Sequence, residues 1–85
     1  MDLEIYCEKI GLTVEKLKSD SRLREIVTPR QVYWHYLKSK GFGESEIGRM
    51  FNKNHATVIY GIDRVRELID SGDLYVKNYL NVINK

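Results

Sequence analysis

The amino-acid sequence predicts a single all-α domain of five to six helices. Apolar residues recur at helical spacing through most of the chain, and glycine, proline or capping residues interrupt that spacing between segments. No segment alternates apolar and polar residues with the period of a strand, and no internal repeat is present. A length of 85 residues suits one compact core, so we expect residues 1–85 to form one domain.

Two short helices are predicted at the N-terminus. The first covers residues 3–10 and ends at Gly11. Its apolar positions are Leu3, Ile5, Tyr6 and Ile10. Thr13 is a candidate N-cap for the second helix, whose short apolar face consists of Val14 and Leu17. Polar residues then end this helix.

A longer helix is predicted in the centre of the chain. Thr28 followed by Pro29 is the strongest start signal, because a capping side chain precedes a proline at the first helical position. We therefore expect a basic, partly extended connector before Pro29 and a helix from Pro29 to Lys40. Its predicted inner stripe is Val32, Tyr33, Tyr36, Leu37 and Lys40.

Residues 44–70 predict a short helix, a tight turn and a long helix. The short helix, Glu44–Phe51, is expected to face the core with Ile47, Met50 and Phe51. Asn54 is the N-cap candidate of the long helix, which runs from about His55 to Asp70. Its apolar face is Val58, Ile62, Val65 and Ile69. The apolar positions of a last helix are Leu74, Val76, Tyr79, Leu80 and Ile83. The helix-turn-helix order is typical of DNA-binding domains, although other helical bundles also contain it.

Composition and spacing exclude several classes of protein. No apolar run approaches the roughly 20 residues that span a bilayer, and the acidic N-terminus does not resemble a signal peptide. The single cysteine, Cys7, fits a reducing, cytoplasmic setting. Cys7, His35 and His55 lack the spacing of a metal site, and no partner residue completes a catalytic set with either histidine. We therefore expect a cytoplasmic, non-enzymatic protein without metal, other cofactor, membrane contact or small-molecule substrate.

Positive charge is concentrated in the middle of the chain. Residues 22–66 contain nine Lys/Arg and four Asp/Glu, a net charge of +5, whereas the whole chain has a net charge of +2. This distribution suggests an anionic partner for the central segment. Ordinary variation of surface charge is the alternative explanation.

The residues at the start of the long helix could contact DNA. In a helix-turn-helix domain the second helix inserts its N-terminal residues into the major groove, and here these are His55, Ala56 and Thr57, preceded by Asn54. Alanine and threonine methyl groups can touch thymine methyls, and Asn and His can hydrogen-bond to base edges. The alternatives are a capping or core histidine and a plain N-cap. Tyr60, one turn further on, is a candidate for a phosphate or base contact.

Three motifs in order resemble one known family. SRLREIVTPRQ at 21–31, EIG at 46–48 and NKNHATV at 52–58 are similar to motifs of the C-terminal DNA-binding domain of the bacterial chromosomal replication initiator DnaA. The similarity extends back through LTVEKLKS and forward into the last helix. It implies a monomeric domain that binds double-stranded DNA sequence-specifically, in control of replication or transcription, and that is nucleoid-associated when bound.

The resemblance also implies which residues contact DNA. Arg22 matches the family's arginine that reaches into the minor groove. The residues that match phosphate-binding positions are Arg30, Gln31 and Lys38. Glu44 and Ser45 match positions whose backbone meets the DNA strand at the start of the short helix. The residues that match the major-groove reading signature are Lys53, Asn54, His55, Ala56 and Thr57.

Three positions depart from the family's pattern. Asn54 replaces an aspartate, Ala56 replaces a threonine, and Thr28 stands where a basic residue is common. An aspartate accepts a hydrogen bond from cytosine N4, whereas an asparagine can pair with adenine through two hydrogen bonds. The target sequence therefore stays open, and it need not be the initiator's usual origin box.

The sequence contains no phosphate-binding loop of the GxxxxGK[ST] type, which the initiator's ATPase domain would carry. A stand-alone relative, for example from a phage or mobile element, and an excised part of a longer protein both fit this observation, and we favour the former. The alternative function is a protein-interaction module that keeps the fold but has lost DNA binding.

Overall fold

The structure is a computed structural model that describes residues 1–84, and within this range it contains six α-helices and no strand. The helices are α1 (Leu3–Ile10), α2 (Val14–Leu17), α3 (Arg24–Ser39), α4 (Glu44–Phe51), α5 (His55–Asp70) and α6 (Leu74–Ile83). The predicted all-α class is confirmed. The predicted bounds of α1, α4 and α5 are also confirmed.

Local capping explains where two of the helices begin. Thr13 Oγ1 accepts a hydrogen bond from the Lys16 backbone N–H at 3.0 Å, and Asn54 Oδ1 accepts one from the Ala56 N–H at 2.8 Å. Each bond satisfies a backbone donor that the first turn of a helix leaves without an intrahelical partner. Both N-cap predictions are therefore confirmed. Gly11 ends α1 in the left-handed region at φ 74°, which glycine adopts without a Cβ clash.

The start of α3 differs from the prediction. The helix begins at Arg24, so Pro29 lies in its second turn, and the segment expected to be an extended connector is largely helical. Tertiary contacts explain the difference: Ile26 is buried in the added turn, and the Tyr6 hydroxyl donates to the Pro29 carbonyl at 2.9 Å. Pro29 removes one hydrogen bond from the helix. Packing of the preceding turn outweighs that loss, and Thr28 is buried rather than acting as a cap.

The helices pack around α3, which contacts α2, α4, α5 and α6. The main core cluster of buried side chains comprises Tyr6, Cys7, Leu17, Tyr33, Trp34, Leu37, Ile47, Phe51, Val58, Ile62 and Ile83. A smaller cluster joins α3, α5 and α6 through Val32, Val65 and Val76. Phe51 and Val58 are almost completely buried, so both ends of the segment between α4 and α5 are anchored in the core.

The buried stripes of the helices are narrower than the periodicity predicts. The apolar residues that were expected in the core but are exposed are Ile5, Met50, Ile69 and Leu74. Lys40 is also exposed, and its Nζ lies 5.4 Å from the centroid of the Tyr36 ring. Each residue of an α-helix is rotated by about 100° from the last. Met50 is therefore turned away from the core when its neighbour Phe51 is buried.

Gly61 on α5 contacts Trp34 on α3 so closely that a side chain cannot fit. A Cβ at position 61 would lie 2.7 Å from Trp34 Cε3 and 2.8 Å from Cζ3. The indole cannot move aside easily, because it is buried and packs edge-on against Phe51 at 5.8 Å between ring centroids. We expect Gly61→Ala to lower the free energy of unfolding by about 1–3 kcal/mol in urea denaturation.

The expected sign is opposite to that of helix propensity, which favours alanine over glycine by about 1 kcal/mol. Asn78→Ala on the exposed face of α6 serves as the control. It should change stability by no more than about 0.5 kcal/mol. A Gly61→Ala protein as stable as the unaltered one would contradict the close contact between α3 and α5.

Candidate nucleic-acid interface

A three-residue turn, residues 52–54, connects α4 to α5. Asn52 ends α4 in the left-handed conformation at φ 54°, which asparagine tolerates better than most residues. The Lys53 backbone N–H donates to the Gly48 carbonyl at 2.8 Å. A Cβ on Gly48 would lie 2.6 Å from the Lys53 backbone oxygen. The backbone of the turn therefore lies so close to Gly48 that a side chain at position 48 would clash with it.

The first turn of α5 presents its side chains to solvent. His55, Ala56 and Thr57 are exposed, whereas Val58 is 0% exposed. Asn54, also exposed, uses its side-chain oxygen to cap the helix, which leaves its amide group at the same surface. The structure thus brings four of the predicted base-reading residues together at one helix start.

A shallow groove of about 400 Å³ lies on the α4 side of this helix start. We call it the α4-side groove, and its polar lining residues are Ser45, Arg49, Asn52, Lys53, Asn54 and His55. Ser45 was predicted to lie at the DNA surface, but Arg49 was not. The signal for Arg49 is its spacing of four residues from Ser45, which places both on one face of α4.

A larger groove of about 620 Å³ lies on the other side of α5, between this helix, α3 and the connector after α2. We call it the α3-side groove, and the residues that it brings together include Arg22, Val27, Arg30, Gln31, Lys53, Thr57 and Tyr60. Arg22 and Tyr60 are exposed, and Gln31 is half-buried. An adjoining cavity of about 380 Å³ adds Arg24 and Arg64, which sequence reasoning missed. Arg64 follows Tyr60 by four residues on the same face of α5.

Arg30, predicted to bind a phosphate, is buried and hydrogen-bonded within the domain. Its side chain is buried, with 6% exposure. Nε donates to the Leu17 carbonyl at 2.7 Å, and Nη2 donates to the carbonyls of Ser19 at 2.7 Å and Ser21 at 3.3 Å. The guanidinium therefore holds the connector between α2 and α3. Arg30 and its neighbour Gln31 both line the α3-side groove, but only Arg30 is tied to backbone carbonyls.

Both lysines predicted to contact DNA have a carboxylate partner within the chain. Lys53 Nζ lies 2.8 Å from Asp20 Oδ1, and Lys38 Nζ lies 3.2 Å from Glu44 Oε2. The hydrogen bond from Lys53 lowers the pKa of the Asp20 carboxyl. The pKa of Glu44 is lowered first by its own backbone N–H and then by Lys38. Glu44 is the first residue of α4 and directly precedes Ser45 of the α4-side groove.

Cys7 and His35, which were considered for catalysis or metal binding, do not line either groove. Cys7 is buried in the core. His35 is half-buried on α3, where burial and then nearby Arg66 lower the pKa of its imidazole. Within residues 1–84, no three His, Cys, Asp or Glu side chains are grouped so that they could hold a metal ion. The helices of this range are also too short or too polar to cross a membrane.

The tight α4–turn–α5 unit with an exposed helix start defines the class of helix-turn-helix domains. Within this class, the chain belongs to the family described as bacterial dnaA protein helix-turn-helix, whose model matches residues 3–65. The resemblance inferred from the three sequence motifs is therefore confirmed. Membership supports DNA binding by this domain, because the helix-turn-helix of this family is a DNA-binding and not a catalytic unit.

Similar proteins include chromosomal replication initiator proteins DnaA from several bacteria. The protein from Thermosipho africanus is 32% identical over 84 residues, which cover 98% of this chain and 19% of the relative. Those from Thermomicrobium roseum and Picosynechococcus sp. are 34% and 36% identical, over 84% and 79% of this chain and 16% and 15% of the relatives. The chain thus spans less than a fifth of the length of these relatives. No solved structure significantly matches the chain.

Proposed function

We propose that this chain binds double-stranded DNA sequence-specifically by inserting the start of α5 into the major groove. The observation that supports this most strongly is the exposure of His55, Ala56 and Thr57 directly beside the completely buried Val58. Small side chains allow close approach to the bases, and Asn54 and His55 can hydrogen-bond to base edges. Because Val58 is fixed in the core, the side chains of residues 55–57 are held in fixed positions on the surface.

The two grooves beside α5 suit the two DNA strands that border the major groove. On the α4 side, Arg49 and the backbone at Glu44 and Ser45 would contact one strand. On the α3 side, Gln31 and Tyr60 would contact phosphates of the other strand, and Arg22 would extend into the adjacent minor groove. Lys38 would exchange its partner Glu44 for a phosphate.

The relatives are named replication initiators, which supports a role in control of replication or transcription at specific DNA sites. A single helix-turn-helix favours binding as a monomer to a site without two-fold symmetry. Selection from a random duplex library followed by footprinting would identify the site. A palindromic footprint would contradict the monomeric mode.

Changes at the start of α5 test the mode of recognition. His55→Ala and Thr57→Ala should each weaken binding to the selected duplex by about 1–3 kcal/mol and relax base preference at one or two positions. Asn54→Ser should do the same while keeping a capping hydroxyl, so that a loss of affinity is not a loss of the helix cap. Fluorescence anisotropy with the selected duplex and single-base variants measures both effects.

Lys9→Ala, which removes an exposed charge on α1 outside both grooves, is the control and should leave base preference unchanged. Unchanged affinity in all three α5 variants would exclude the start of α5 as the reading element. Failure of the unaltered protein to retain any duplex at low salt would instead favour a protein-interaction module.

A further inference from the structure

The connector between α2 and α3 is held by hydrogen bonds to two cationic side chains. Arg30 of α3 binds the carbonyls of Leu17, Ser19 and Ser21. Lys53 of the α4–α5 turn fills the gaps between them, because its Nζ donates to the Lys18 carbonyl at 3.3 Å and to Asp20 Oδ1 at 2.8 Å (Lys18 and Asp20 alternate with the residues that Arg30 binds). Residues 17–21 therefore each supply one oxygen to a cation.

The two cations come from different parts of the domain. Arg30 belongs to the central helix, whereas Lys53 immediately precedes the N-cap of α5. Both side chains are largely buried, with 6% exposure for Arg30 and 14% for the side chain of Lys53. Asp20, by contrast, is fully exposed. Lys53 lines both grooves beside α5, but its Nζ is bound to the connector, which suits a structural tie better than a base contact.

We propose that Arg30 and Lys53 form a clamp whose role is to position Arg22 relative to the start of α5. Arg22 directly follows the clamped segment and lines the α3-side groove together with Thr57. Lys53 is thus a positioning residue for DNA recognition and not a reader of bases. This inference rests on the proposed DNA binding, and it assigns to Lys53 a role that differs from the one implied by its family resemblance.

Such a clamp would hold Arg22 and the start of α5 in the relative positions that the minor and major grooves of DNA require. A connector that became ordered only on binding would lose conformational entropy at that step, and affinity would fall accordingly. A connector already held by five hydrogen bonds loses less. Because Lys53 belongs to the α4–α5 turn, the clamp also links the connector to the start of α5.

The test of this proposal applies three measurements to Lys53→Met. In the protein without DNA, amide hydrogen exchange of residues 18–23 should become several-fold faster than in the unaltered chain. On the selected duplex, Arg22→Ala should weaken binding roughly tenfold in the unaltered background but much less in the Lys53→Met background. Independent contacts would instead give additive losses. The salt slope of Lys53→Met should match that of Arg22→Ala, because Lys53 acts through Arg22 and makes no phosphate contact of its own.

Lys38→Met is the contrasting variant, since Lys38 pairs with Glu44 outside the clamp. It should reduce the salt slope by about one and leave the exchange of residues 18–23 unchanged. Unchanged exchange in Lys53→Met, or an Arg22→Ala loss that stays additive, would overturn the clamp. Absence of duplex binding by the unaltered protein would contradict the proposed function instead. Hydrogen exchange would then still decide whether Lys53 holds the connector.

Discussion

Gly48→Ala is expected to weaken sequence-specific DNA binding and to lower the free energy of unfolding by about 1–3 kcal/mol. The added Cβ would lie 2.6 Å from the backbone oxygen of Lys53. A backbone oxygen cannot swing away as the end of a flexible side chain can, so the turn itself must shift. Because the turn leads directly into α5, the shift would displace His55 and Thr57, whose base contacts are each worth about 1–3 kcal/mol.

Gly61→Ala is the matched comparison for this variant. Both changes add one methyl group at a close helix contact, but Gly61 contacts the side chains of Trp34 and Gln31 and not the α4–α5 turn. We expect Gly61→Ala to lose stability and keep its base preference, whereas Gly48→Ala loses both. Urea denaturation and anisotropy titrations at a temperature where both variants are folded distinguish these results. Equal base preference in the two variants would argue against a turn-positioning role for Gly48.

The parts of the fold that the sequence predicted well are those determined by local interactions. Asn54 caps α5 through its own neighbour Ala56, and that signal lies within three residues of sequence. The start of α3 depends instead on Ile26 in the core and on the Tyr6 hydroxyl, which lies 23 residues from its acceptor Pro29. A reading of local start signals therefore placed this helix five residues too late, at Pro29 instead of Arg24.

The same distinction applies to the candidate site. The exposed residues 54–57 are contiguous, so their grouping follows from one helix start. The partners of Arg30 and Lys53 are mainly backbone carbonyls, up to 35 residues away in the case of Lys53. Any residue type has such a carbonyl, so the sequence contains no signal for the pairing. Composition has a related limit, because Asp20 lies outside the basic segment 22–66 and yet pairs with Lys53 inside it.

Arg30→Met is expected to lower the free energy of unfolding by about 2–4 kcal/mol, a larger effect than that of any other change of a charged residue proposed above. Methionine preserves most of the aliphatic stem but leaves the carbonyls of Leu17, Ser19 and Ser21 without the guanidinium that binds them. Hydrogen bonds to a charged group contribute about 1.5–3 kcal/mol each when partly shielded from water, and losses within one network are not additive.

The neighbouring Gln31→Ala variant provides the contrast that interprets this result. Gln31 lines the α3-side groove and is proposed to contact a phosphate, so its removal should weaken DNA binding while stability stays within about 0.5 kcal/mol. If Arg30 were also mainly a phosphate contact, Arg30→Met would keep its stability as Gln31→Ala does. Loss of the positive charge would then reduce the salt slope by about one. Urea denaturation without DNA therefore separates the two roles. We expect Arg30→Met to unfold at a markedly lower urea concentration, because its positive charge organises the domain before any DNA is bound.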